Sequence, residues 1–337
     1  MSRRPRTLIT VTNPDLKKML FNQASIDLLT SFSDVYWLEE GRKYHSEDIE
    51  SIISTFDAAI TSWGSPKFTE SVVKQGGDLS FIGHAAGSVV SVTEEAVYDA
   101  GISVVSANKL LARSTAESAV AMMLAGNWHL RAYGDSLRGG QWTVNSRETV
   151  PGLYGQTIGL IGYGDISQEV IRLLRPFGAR VLLYSRYCSQ EEAEEADVRL
   201  CSLDELLRSS DIVSLHSTWT QASENMIGEQ ELATMKDGAL FVNTSRGPLI
   251  QEGALLMELQ SGRLRAMLDV YVQEPLPKDH PFLILSNAWC FPHIGGFNRK
   301  LKSGMGRYII DNLYLYLSGS SPEGLITKER FKRMTQQ

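Results

Sequence analysis

Two glycines one residue apart, Gly162 and Gly164, follow the apolar run Thr157-Ile-Gly-Leu-Ile161 and precede a helical pattern from Ile166 to Leu174. Strand, tight glycine turn and helix in that order suit an anionic ligand. The first glycine permits the turn, the second lets backbone approach a pyrophosphate, and the ligand's charge settles on the helix N-terminus. The third glycine of the G-x-G-x-x-G pattern is replaced by Ser167. That position serves close helix-to-strand packing, so a small serine is expected to be tolerated with a slightly wider approach. A two-glycine turn alone also fits a plain strand-to-helix connection, but its place at the head of a βαβ series favours a dinucleotide. Gly162, Gly164, Asp165 and Ile166 then form the cofactor side of the turn. A carboxylate at Asp165 weakens pyrophosphate binding unless its side chain turns away.

The acidic residue that bonds an adenosine ribose is expected about 20 residues on, at the end of the strand 180–184. Ser185 and Arg186 stand there instead. Loss of the carboxylate removes repulsion toward a 2′-phosphate, and the arginine can pair with that phosphate. NADP(H) is therefore favoured; with Arg186 turned to solvent, NAD(H) remains possible.

The elements that must position this turn are legible as short β-branched runs alternating with helical patterns. One series has strands at 8–11, 35–38, 58–61, 79–82 and 102–105; a second begins at Thr157 and continues through 180–184, 211–215, 239–242, 264–268 and 288–291. Such alternation implies two parallel, doubly wound α/β sheets. Residues 112–137 read as one long helix connecting the two, and 298–317 as a last amphipathic helix that returns to the first domain, followed by a short charged tail. The expected division is 1–107 with 293–337, and 108–292, with a cleft between them.

Composition bounds the function. The 337 residues suit two domains, and 43% hydrophobic with 21% charged residues is an ordinary globular balance. A net charge of -6 lacks the positive footprint of a nucleic-acid binder. Cys188, Cys201 and Cys290 form no C-x-x-C pair, so neither a disulfide framework nor a cysteine zinc site is expected, and no His/carboxylate cluster has metal spacing. No run reaches the roughly 18–20 apolar residues of a membrane helix. A cytoplasmic protein is expected.

Three further motifs occur in order: Asn243-Thr-Ser-Arg-Gly-Pro-Leu-Ile250, Asp269-Val-Tyr-Val-Gln-Glu-Pro275 and Pro292-His-Ile-Gly-Gly296. Singly, an arginine after a strand reads as a surface ion pair, a Glu-Pro as a turn and a His after proline as a loop residue. Jointly, behind the glycine turn, the chain from about Phe81 onward resembles the D-isomer-specific 2-hydroxyacid dehydrogenases. The resemblance implies a Rossmann dinucleotide-binding domain plus a flavodoxin-like doubly wound substrate domain. It implies hydride exchange between a nicotinamide cofactor and a small 2-oxo or 2-hydroxy acid. Arg246 would bind the substrate carboxylate and polarise its carbonyl. His293 would be the general acid or base, and Glu274 the partner that favours its imidazolium. Asp269 would lie near the nicotinamide carboxamide, Ser217, Thr218, Thr244 and Gly295 along the cofactor, and the backbone of Ala85, Ala86 and Gly87 on the substrate carboxylate.

Val89-Val90 stand after the expected carboxylate loop where the family often carries a polar Asp-Asn pair, which leaves substrate contacts there open; Trp219 in the turn after His216 and Phe291 before Pro292 add bulk around the cleft. They either narrow the choice of 2-oxo acid or only repack a wall. His84, beside the carboxylate loop, is a further candidate. No regulatory C-terminal domain is expected after the last helix. The family commonly forms homodimers, and the apolar stretch 119–125 would suit that burial. The competing reading is a dinucleotide-sensing scaffold, as among the family's corepressors, with little turnover; a formate dehydrogenase-like reaction is a third.

Overall fold

The computed structural model describes residues 3–142 and 150–334. It divides into two units, Met1–Leu111 with Asn298–Gln337, and Ala112–Phe297. These boundaries differ from the expected 107/108 and 292/293, and they move His293 out of the discontinuous unit.

The first unit is built on β1 (Arg6–Ile9), β2 (Asp34–Trp37), β3 (Ala58–Thr61), β4 (Phe81–His84) and β5 (Ser103–Ser106), all parallel in the order β2-β1-β3-β4-β5. That is the flavodoxin-like winding. Strands β3 and β4 are buried at every position, as expected where helices cover both faces of a parallel sheet. The helix Arg299–Leu317 covers one face, placing Met305, Ile309, Ile310 and Leu313 against Ile9, Ile60 and Phe81. A Cβ on Gly83 would stand 2.3 Å from an Ile309 methyl, so only glycine lets helix and strand approach this closely. Beyond it, the expected charged tail contains a short helix, Lys328–Lys332, anchored by buried Phe331.

The second unit carries seven parallel strands: β6 (Thr157–Ile161), β7 (Arg180–Tyr184), β8 (Arg199–Leu200), β9 (Ile212–Leu215), β10 (Leu240–Asn243), β11 (Arg265–Leu268) and β12 (Ala288–Cys290). Their order, β12-β11-β10-β9-β6-β7-β8, is the doubly wound Rossmann arrangement, which reverses direction beside β6. Strand β8, two residues long, has too little sequence pattern to be foreseen.

The expected single helix over 112–137 is two, Asn108–Asn127 and Leu130–Arg138. The break has a cause far away in sequence. Arg265 donates to the Gly126 carbonyl (2.8 Å) and to Asn127 Oδ1 (3.1 Å), capping the first helix, and His129 adopts a left-handed φ of 51°. Arg131 then ties the second helix to the Ala288 carbonyl at 2.8 Å. Within 119–125, Ala119, Val120, Met122 and Met123 are buried in the core of their own unit, against Ile158, Leu160 and Val242. Ala121 stays exposed, and Leu124 and Ala125 are half-buried. No helix among the described residues is long and apolar enough to cross a membrane.

Candidate active site

The glycine turn follows β6. Gly162 has φ 102°, and a Cβ there would lie 2.8 Å from the His216 carbonyl group, so both the turn and its packing on the neighbouring strand end require glycine. Nothing lies within 4 Å of a Cβ built on Gly164, and this exposed glycine leaves its backbone open to a ligand. Ser167 is fully buried and its hydroxyl donates to the Gly162 carbonyl at 2.7 Å. The serine therefore adds a strut to the turn, a stabilising feature where only tolerance was expected. Asp165 opens the helix Asp165–Leu174, whose N-terminal partial charge its carboxylate complements; this accounts for an acid that looked out of place in the sequence.

The strand ends around the turn are polar. Ser217 donates to the Ile161 carbonyl at 3.2 Å, and its own carbonyl accepts from Ser245 Oγ. Thr218 is exposed, while buried Thr244 keeps a hydroxyl with no protein partner. After β7, Ser185 Oγ accepts from the amides of Tyr187 (3.1 Å) and Cys188 (3.3 Å), fixing a turn that leaves Arg186 exposed beside the Tyr184 hydroxyl. An open glycine backbone, a helix N-terminus and an orphaned buried hydroxyl on one sheet edge fit a dinucleotide.

Three loops on the same carboxyl-terminal edge hold the expected catalytic set. Arg246 follows β10 in a turn fixed by Asn243, whose Oδ1 accepts from the Ser245 amide (2.9 Å) and whose Nδ2 donates to the Arg246 carbonyl (3.1 Å). Its guanidinium spends one N–H on the Ser245 carbonyl at 2.7 Å. Burial pushes its pKa down, partly opposed by the Glu274 carboxylate. At Gly247 a Cβ would come within 1.9 Å of the Tyr271 carbonyl carbon, which locks the arginine turn directly onto the loop bearing Glu274.

Glu274 Oε1 accepts from the Tyr271 amide at 3.1 Å and Oε2 pairs with His293 Nδ1 at 2.7 Å. A carboxylate is acceptor-only, so it serves both donors at once and fixes the ring's orientation. Tyr271 itself is held by its hydroxyl, near the Phe291 carbonyl (2.8 Å) and the Leu268 carbonyl (2.9 Å). His293 has φ 54°, a costly conformation for this residue, which the next two amides stabilise: Ile294 and Gly295 donate to Asp269 at 2.8 and 2.7 Å. Burial raises the Asp269 pKa against the lowering effect of those amides. Gly295 also accepts at its carbonyl from Ser114 Oγ at 2.8 Å.

The loop expected to hold the substrate carboxylate lies in the first unit, after β4. Its carbonyls are held from below: Ser62 Oγ donates to Ala85 (2.9 Å), and Ser106 Oγ faces Ala86 (3.1 Å) and Gly87. The Ala85 amide is spent on the Thr61 carbonyl at 2.8 Å, so this residue brings no open amide, contrary to expectation. Val89 and Val90 are buried in the core with Ile82 and Val92. His84 is also core: Nδ1 bonds the Thr61 hydroxyl at 2.8 Å and burial drives its pKa down to about 3. Trp219 and Phe291 pack against the two cores of the second unit and form walls there.

Sequence reasoning missed Asn243, Gly247 and Tyr271. A glycine directly after the candidate arginine was the one available signal, because the contacts of the other two are set by the fold.

Residues 120–295 match the family model described as D-isomer specific 2-hydroxyacid dehydrogenase, NAD binding domain. The chain is 30% identical to a glyoxylate reductase of Aeropyrum pernix over 98% of both chains. It is 32% identical to a D-3-phosphoglycerate dehydrogenase of Methanocaldococcus jannaschii over 89% of this chain, but spans only 57% of that relative's length. A crystal structure of a glyoxylate reductase from Paecilomyes thermophila superimposes with a TM-score of 0.76 at 26% identity, covering 97% of this chain and all of the other.

Proposed function

This chain belongs to the D-isomer-specific 2-hydroxyacid dehydrogenases, and from that premise we propose that it reduces a small 2-oxo acid such as glyoxylate or hydroxypyruvate to the D-2-hydroxy acid, and reverses the reaction, with NADP(H) preferred over NAD(H). The observation that carries this reading is the His293–Glu274 pair at 2.7 Å on the loop that packs against the Arg246 turn.

Arg246 binds the substrate carboxylate through the N–H groups not used on Ser245 and polarises the adjacent carbonyl. With Nδ1 held by Glu274, Nε2 of His293 is the nitrogen that gives a proton to the carbonyl oxygen in reduction and takes one from the hydroxyl in oxidation. Within the first unit, Ser106 takes up the carbonyls of Ala86 and Gly87, which supports their amides as an anion-binding group. Bound at the glycine turn, a nicotinamide dinucleotide supplies or accepts the hydride. Exposed Arg186, with no carboxylate beside it at the end of β7, supports the NADP(H) preference. We further propose a cytoplasmic homodimer. The half-exposed Trp128, Leu130 and Leu137, just beyond 119–125, supply apolar surface for it.

The test is oxidation of NADPH and of NADH, followed separately with a panel of 2-oxo acids, for the unaltered chain and for Arg246→Ala and His293→Ala. Turnover with NADPH above NADH, lost in both variants, is expected. Equal use of NADH overturns the cofactor preference alone. Tight cofactor binding without reduction of any oxo acid overturns the enzyme reading in favour of a dinucleotide-sensing scaffold.

A further inference from the structure

A second Glu–His pair hangs on the same loop as the first. Glu252 opens the helix Glu252–Gln260, six residues after Arg246. Its Oε2 accepts from the Val272 amide at 3.3 Å and its Oε1 faces His280 Nε2 at 3.2 Å. The neighbouring amide, Tyr271, is taken by Glu274, whose other oxygen holds His293. Consecutive amides of one loop are thus each gripped by a glutamate, and each glutamate spends its second oxygen on a histidine.

The tautomer of His280 follows from its other contact. The Phe282 amide donates to Nδ1 at 3.3 Å, so in the neutral ring the proton is on Nε2 and points at Glu252. Both groups facing Glu252 are then donors, and an acceptor-only carboxylate satisfies both where a glutamine satisfies one. The pair is sheltered, with side-chain exposures of 15% for His280 and 30% for Glu252, and the ring packs on Phe282 at 4.7 Å.

We propose that Glu252 and His280 are positioning residues: they hold the Val272 amide so that Glu274 keeps its oxygen on His293. This inference rests on the proposed activity, in which His293 moves the proton. Its structural half stands apart from turnover, and the experiment separates the two.

Amide exchange across 269–275 and steady-state kinetics would be measured on the unaltered chain, Glu252→Gln, Glu252→Ala, Glu274→Gln and the double variant Glu252→Ala/Glu274→Gln. Exchange in that segment is expected to rise about tenfold in Glu252→Ala and less in Glu252→Gln, with the glycine-turn segment unchanged. The kcat is expected to fall about tenfold in Glu252→Ala, in line with the cost of slight misplacement, with the KM for cofactor within about twofold. Because Glu252 acts through Glu274, the double variant is expected to be no slower than Glu274→Gln alone. Unchanged exchange at 269–275, or rate losses that simply multiply, overturns the proposal. If the unaltered chain turns over no 2-oxo acid, the activity reading fails, and the exchange result still decides whether Glu252 holds the loop.

Discussion

Acid should destabilise this protein through two buried histidines. His84 and His216 are almost fully buried, and burial lowers their pKa values from 6.5 to about 3 and about 4. In the unfolded chain both return to about 6.5, so between pH 6.5 and these lower values the unfolded state binds protons that the folded state refuses. Stability is therefore fully present above pH 6.5 and is lost as pH falls through that window. At pH 5 the penalty is about 2 kcal/mol for each histidine, since one pH unit corresponds to ~1.4 kcal/mol. His84 lies in the first unit and His216 in the second, so each weakens its own unit. Denaturant melts at pH 7 and pH 5 would be recorded for the unaltered chain, His84→Gln, His216→Asn and the double variant. Comparing each protein with itself at two pH values cancels the direct cost of the substitution. The fall from pH 7 to pH 5 should shrink by about 2 kcal/mol in the first unit for His84→Gln, in the second unit for His216→Asn, and in both units for the double variant. An unchanged fall in the double variant would refute the assignment of both rings as buried and neutral.

Gly247→Ala forces a Cβ to within 1.9 Å of Tyr271 backbone; kcat/KM should drop about a hundredfold as the Arg246 turn moves roughly 1 Å, with a lower Tm. Ser167→Gly, which restores the G-x-G-x-x-G pattern, should destabilise by about 2 kcal/mol, because it removes the bond to Gly162 and places glycine in a helix; thermal melting checks this. Arg186→Ala should lower kcat/KM with NADPH about 10- to 100-fold and leave NADH nearly unaffected, as expected from loss of a charge-assisted contact to a phosphate. Equal losses with both cofactors would place Arg186 outside the ribose-phosphate site.

Most of the fold was legible because parallel strands buried on both faces leave near-continuous apolar runs; β3 and β7 begin and end, and β6 begins, where the pattern put them. Other strands shifted by one or two residues, as β4 did, because their limits are set by pairing rather than by composition. The helix break at His129 was invisible since its cap comes from Arg265, far along the chain. The motifs marked Arg246, Glu274 and His293, but their supports did not stand out. Asn243, Gly247 and Tyr271 matter through contacts that exist only once β10, β11 and β12 lie side by side. His280 has no motif around it in the sequence, and its carboxylate partner stands 28 positions earlier. Val89 and Val90, read as a possible change to substrate contacts, turned out to be core residues.

The first unit is assembled from chain ends that leave the ribosome far apart in time. Its five strands are complete by Ser106, but the helix that covers Ile9, Ile60 and Phe81 begins at Arg299. At roughly 5–20 residues per second, that helix arrives about 10–40 s after the sheet it must cover. Throughout that interval the second unit, contiguous in sequence, can finish folding while the first keeps an apolar sheet face bare. Nascent chains stalled before residue 299 should therefore be the aggregation-prone, chaperone-dependent species, and stalling after Leu317 should relieve this. Gly83 sharpens the dependence: its missing side chain leaves a slot that Ile309 fills, so the unfinished sheet carries a gap as well as an exposed surface.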